Sequence, residues 1–101
     1  MELTGKHRRY LRALAHELSP VVIVGKDGLT GAVFAAVERA LLDHELIKVK
    51  LGERAGADRH AAATELATAT HSEVAQVLGN IVLLYKAHPE TPSLKLPSRP
   101  R

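Results

Sequence analysis

The sequence predicts an α/β domain with the element order α-β-α-β-α-β-β, a four-stranded mixed sheet with helices packed against it. Three observations lead there. Segments with apolar residues at helical spacing alternate with short β-branched runs. The last two strand-like runs meet at Gly79-Asn80, a two-residue turn of the kind that joins a hairpin. The chain has 101 residues, 46% of them hydrophobic, which is enough for one modest core but not two.

Thr4 is placed to cap a first helix, from Gly5 to about Leu18, with Leu11, Leu14, Ala15 and Leu18 as its buried stripe. Ser19-Pro20 ends it, because proline disfavours helical geometry in the residue before it. Val21 to Val24 is an unbroken β-branched run, as in a strand covered on at least one face. Gly25 to Gly28 is a turn. Thr30 then caps a second helix, from about Gly31 to Asp43, with Val33, Ala36, Val37, Ala40 and Leu41 facing inward.

From Leu46 to Leu51 the residues alternate: Ile47, Val49 and Leu51 point one way, Lys48 and Lys50 the other. The two lysines read as a solvated strand face. A polar turn over Gly52–Gly56 leads to a third helix, capped by Asp58 and reaching about Thr70. Its apolar face is mostly alanine plus Leu66, so it must pack close to the sheet. Glu73 to Leu78 and Ile81 to Lys86 form the hairpin. Residues 1–87 make one domain, and residues 88–101 a proline-rich basic tail, largely irregular, with Leu94 and Leu96 as candidate anchors. Right-handed crossovers place the second and third helices on one side of the sheet. The pattern does not fix where the first helix packs.

Composition removes several classes of function. Without cysteine there is no disulfide, thiolate metal site or cysteine nucleophile, which fits a reducing compartment. No apolar run reaches the ~20 residues of a membrane span. The polar N-terminal segment reads as a capped helix and not as a signal peptide. The expectation is a cytoplasmic monomer with no membrane contact. His7, His16, His44, His60, His71 and His88 are scattered, without a His-x-x-x-His or Glu-x-x-His pair, so they are expected at surfaces or edges and no metal site is predicted. No serine sits in a Gly-x-Ser-x-Gly elbow. Asp43, His44 and Glu45 are adjacent, but consecutive positions point in different directions. No enzyme activity, cofactor or small-molecule substrate is therefore expected.

The candidate site is the loop Gly25-Lys26-Asp27-Gly28. It stands at the carboxyl end of the first strand and leads into a helix. Two glycines let the backbone turn through positive φ and approach a ligand without Cβ interference. The helix start beyond offers unpaired N–H groups and a positive dipole end, a seat for phosphate. Lys26 adds a cation at the tip, while Asp27 is a favoured turn residue. The loop is not a Walker motif, since Gly28 is followed by Leu29-Thr30.

The formal charge is only +3, but it is concentrated. Lys6, Arg8, Arg9 and Arg12 fall in the first twelve residues, against a single acid, Glu2. At 100° per residue, Arg9, Arg12 and His16 lie roughly opposite Leu11, with Lys6 nearby and Arg8 nearer the edge of the apolar stripe. This cationic face suits a polyanion, although the same residues would also serve as a solvated helix face. Aromatics are limited to Tyr10, Phe34 and Tyr85, which argues against strand-borne base stacking. What remains is recognition of phosphate by loop, helix start and cationic helix.

These residues resemble a known family, the CRM (chloroplast RNA splicing and ribosome maturation) domain, and within it the bacterial single-domain YhbY type. The likeness runs from Leu3 to about Pro97. It is carried by LAHELSPVVIVGKDGLT (Leu14 to Thr30), HELIKVKL (His44 to Leu51), VLGNIVLLYK (Val77 to Lys86) and LKLP (Leu94 to Pro97). The resemblance implies a fold like the C-terminal domain of bacterial translation initiation factor three. It also implies that Gly25, Lys26, Asp27 and Gly28 form a GxxG loop contacting RNA, comparable in use to the loop of KH domains. The basic helix surface would extend that site.

Bacterial members associate with precursors of the large ribosomal subunit, and plant relatives assist group II intron splicing. The resemblance therefore implies an RNA-binding assembly factor whose partner is ribosomal RNA. Two departures stand out. Asn80 occupies a hairpin position where the family commonly has a basic residue, and His71-Ser72 replaces a glycine-containing turn. Two other readings of the loop remain at this point: an enzyme holding a phosphorylated small molecule, and a protein-interaction module using the strand face of Lys48 and Lys50.

Overall fold

The computed structural model describes residues 3–52, 58–94 and 96. The polar turn expected after Gly52 and the last residues of the tail lie outside them. The element order is α1 (Gly5–Ala15), β1 (Pro20–Val24), α2 (Gly31–His44), β2 (Leu46–Leu51), α3 (Arg59–Thr70), β3 (Glu73–Leu78) and β4 (Ile81–Tyr85). The strands form one mixed sheet in the order β1-β2-β4-β3, with β1 parallel to β2 and the other two neighbouring pairs antiparallel.

The two faces of the sheet are covered unequally. Val22, Val24, Ile47, Val49, Leu51, Val82 and Leu84 pack on one face against Val37 and Leu41 of α2 and Ala62, Ala63 and Leu66 of α3. Both crossover helices thus share a side, as expected. The alanines of α3 allow the close approach that its thin apolar face requires. The first helix takes the opposite face: Leu11 and Ala15 pack with Leu46, Ala75, Leu83 and Tyr85, joined by Leu3, Tyr10, Leu94 and Leu96. The helix is shorter than the periodicity suggests. Leu14 and Leu18 remain 38% and 37% exposed, because the chain must turn at His16–Ser19 to enter β1. That turn is closed by the Leu18 N–H donating to the Ala15 carbonyl at 2.9 Å.

Each helix start is capped by the residue its sequence offers. Thr4 Oγ1 accepts from the His7 N–H at 3.1 Å, and His7 Nδ1 accepts from the Thr4 N–H at 3.2 Å. His7 is consequently buried, contrary to the surface position expected for the histidines. Thr30 Oγ1 accepts from Val33 N–H, and Asp58 Oδ1 from His60 and Ala61 N–H. At the other end of α3, His71 adopts the left-handed conformation (φ 54°, ψ 42°) that glycine would take more easily. The turn is held by Ser72 N–H donating to the Ala67 carbonyl and by the 2.8 Å contact between the Thr70 and Ser72 hydroxyls.

The segment after β4 has no regular secondary structure, yet it is bound at defined points. Glu45, buried and at φ 64°, receives the N–H groups of His88 (2.8 Å), Ser93 (2.6 Å) and Leu94 (3.0 Å) on its carboxylate. Burial pushes this carboxyl up, but the donors of His88, Leu94 and Ser93 together outweigh it and hold the pKa below the usual carboxylate range. His88 Nδ1 in turn accepts from the N–H groups of Glu90 and Thr91.

Candidate functional site

The loop after β1 is a tight turn in which the Gly28 N–H donates to the Gly25 carbonyl at 3.0 Å. Gly28 sits at φ 73°, in the region that favours glycine. Gly25 is different. A Cβ there would meet nothing within 4 Å, and its φ is not in the left-handed region. Internal packing therefore gives no reason for glycine at position 25. Lys26 and Asp27 are both exposed at the tip. Two residues beyond the turn, Thr30 caps α2, whose exposed leading residues Gly31 and Ala32 bring N–H groups to the same end of the sheet.

The root of the loop is fixed by β2. Gly52 N–H donates to the Val24 carbonyl at 2.9 Å, extending the parallel pairing past Leu51. A Cβ on Gly52 would lie 2.7 Å from that same carbonyl oxygen, so only glycine permits the approach. The hairpin turn joins this end of the sheet through Leu51 N–H, which donates to the Asn80 carbonyl at 2.7 Å. Arg59 Nη1 donates to the Gly79 carbonyl at 3.2 Å. A rigid sheet edge thus presents the loop, whose tip is open.

The basic residues of α1 divide into groups. Lys6 and Arg9 are exposed. Arg8 is also exposed, but its Nη1 is engaged, donating to the Leu3 carbonyl at 3.0 Å. Arg12 and His16, one turn apart, line a depression of about 140 Å³ over the sheet with Lys48, Gln76, Leu78, Ile81 and Leu83. None of Lys6, Arg9, Arg12, Lys26 or Lys50 is paired with an acidic side chain among the described residues, whereas Arg39 and Asp43 of α2 form an i, i+4 pair at 3.3 Å. Among the described residues, no acidic side chain lines the depression.

Lys48 differs from the solvated residue expected of it. It is only half-exposed, and its Nζ donates to the Leu18 carbonyl at 2.9 Å, tying the end of the α1 turn to the middle of the sheet. Sequence alternation showed which face it occupies but not this partner, thirty residues earlier in the chain.

A larger cavity, about 470 Å³, opens at the far end of α1 and is lined mainly by aliphatic side chains, including Leu14, Leu18, Val21 and Leu94. Among the described residues no group of three or more histidine, aspartate or glutamate side chains could hold a metal ion, and no helix is long and apolar enough to cross a membrane.

Comparison with known proteins gives a consistent picture. The model of the CRS1 / YhbY (CRM) domain family matches residues 3–86. A Haemophilus influenzae protein named as an RNA-binding protein is 40% identical over 100 residues, covering 96% of this chain and 97% of its own. A Pseudomonas aeruginosa protein, named a probable RNA-binding protein, is 42% identical over 90 residues, covering 89% of this chain and 86% of its own. The solution structure of a Staphylococcus aureus protein superposes with a TM-score of 0.81 at 36% identity, covering 95% of this chain and 100% of that one.

Proposed function

The chain belongs to the CRS1 / YhbY (CRM) domain family, and from that premise we propose that it is a non-enzymatic RNA-binding protein acting in assembly of the large ribosomal subunit. It grips the RNA backbone with the Gly25–Gly28 loop and the α1 cations Lys6, Arg9 and Arg12. The names of its relatives support RNA as the partner.

The observation that carries the site is the loop itself. Gly25 is a glycine that the fold's own packing does not require, beside an exposed Lys26 and ahead of a helix start. A phosphate approaching there meets backbone N–H groups, a positive dipole end and one ammonium, all on a root stiffened by the Gly52–Val24 bond. Contacts of this kind position a nucleic acid without reading its sequence. Arg8, held by the Leu3 carbonyl, is secondary. The family likeness supports a ribosomal RNA partner, and residues 1–87 act as one binding unit.

Crosslinking the protein to RNA in cells and sequencing the attached RNA tests this reading. Enrichment of large-subunit ribosomal RNA precursors is the expected result. Recovery of messenger or transfer RNA without ribosomal precursors would overturn the assembly role, and recovery of no RNA would overturn the reading altogether.

A further inference from the structure

The strand pairings place four side chains in one row across the whole sheet. Ile23 of β1 pairs with Lys50 of β2, Lys50 with Ile81 of β4, and Ile81 with Leu78 of β3. Paired residues share a face, and these four lie on the α1 face, since the next pair along, Lys48 and Leu83, borders Leu11 and Ala15 there. The helix borders the row at Ile81, which is half-buried, and leaves the rest open. Ile23 and Leu78 are each 67% exposed, the highest values among the described large apolar residues, and Lys50 is exposed between them.

Three strand spacings make the row about 14 Å long. It begins two residues before Gly25 and is bordered along α1 by Arg12 and His16. The depression between is well below the ~300 Å³ of an enclosed ligand pocket, so this surface is a platform and not a small-molecule site.

We infer that this row is a base-binding platform, which makes the protein a reader of single-stranded RNA and not of duplex. The inference rests on the RNA-binding reading of the loop and says which form of RNA that site takes. Two features select the occupant. The first is charge: Lys50 within the row and Lys48 and Arg12 beside it are cationic, and no acid is among the described residues lining the depression. This suits a polyanion, and RNA, with one charge per nucleotide, more than a mixed-charge peptide. The second is continuity: a strand whose phosphates sit on the Gly25–Gly28 loop runs directly onto Ile23. Splayed bases then bury their apolar faces on Ile23, Ile81 and Leu78, while Lys50 meets a phosphate or a base edge. A four-stranded sheet can hold two or three bases in this way when aromatics line it; here branched aliphatic side chains provide the surface. In a duplex the bases are stacked inside and unable to reach it.

Binding by the full chain is measured with three RNA probes of about 12 units: an oligouridylate, an abasic ribose-phosphate strand of equal length, and a duplex. The oligouridylate binds about tenfold tighter than the other two. Ile23→Thr with Leu78→Thr, which keeps strand propensity at two exposed positions, removes that preference and leaves duplex affinity unchanged. Leu78→Tyr, which adds a ring, tightens the oligouridylate several-fold and the abasic strand not at all. Equal affinity of the wild-type protein for all three probes would overturn the platform while leaving RNA binding intact. Failure to bind any of them would overturn both.

Discussion

Lys48 Nζ donates to the Leu18 carbonyl at 2.9 Å, so a side chain in the second strand of the sheet closes the turn that follows the first helix. That bond adds to the packing of Leu11 and Ala15 against the sheet, which places Arg12 and His16 beside Leu78 and Ile81. Replacing Lys48 with methionine keeps the aliphatic stem and removes the donor. The expected loss is about 1 kcal/mol in urea unfolding, with amide exchange accelerating at Leu18 and Ser19 before the rest of the domain.

Two glycines near the loop predict opposite behaviour. Gly25→Ala meets open space and leaves stability within about 0.5 kcal/mol, but it puts a methyl group where phosphate approaches and weakens RNA binding. Gly52→Ala sets a Cβ 2.7 Å from the Val24 carbonyl oxygen and destabilises the domain by about 2 kcal/mol or more, because backbone must move. Thermal unfolding and RNA titration of the two variants separate a binding glycine from a packing one.

Glu45 ties the chain after β4 to the α2–β2 junction, and its charge does so in a pH-dependent way. Its folded pKa lies below the unfolded one, so its contribution to stability is complete above the ordinary carboxylate range and disappears as pH falls through the folded value. Glu45→Gln should cost about 1–3 kcal/mol at neutral pH, and the difference from wild type should shrink in acid. Glu45→Gly should cost less than Glu45→Ala, since glycine accepts φ 64° without strain. Denaturant unfolding at several pH values measures both effects.

The helices, strands and hairpin turn were legible because each carries a local signal: Thr4, Thr30 and Asp58 as caps, the alternation in Leu46–Leu51, and Gly79-Asn80 between two apolar runs. The loop was legible for the same reason. What escaped were relations between distant residues. The run Val21–Val24 gave no sign that only Val22 and Val24 would be buried, because an unbroken β-branched stretch hides which face is open. Leu14 and Leu18 satisfied helical periodicity but not the geometry of a helix that must turn into β1. The side of the sheet taken by α1, the Lys48–Leu18 bond and the anchoring of His88, Ser93 and Leu94 by Glu45 depend on tertiary placement alone.

The most direct measurement is the salt dependence of single-stranded RNA binding by the wild-type protein and by the triple variant Lys26→Ala, Arg9→Ala, Arg12→Ala. Each phosphate contact contributes about 0.7 to the slope of log affinity against log salt. If the loop and α1 grip the backbone, the triple variant binds every RNA sequence more weakly, and its slope is shallower by roughly 2. Unchanged affinity and an unchanged slope would contradict the account.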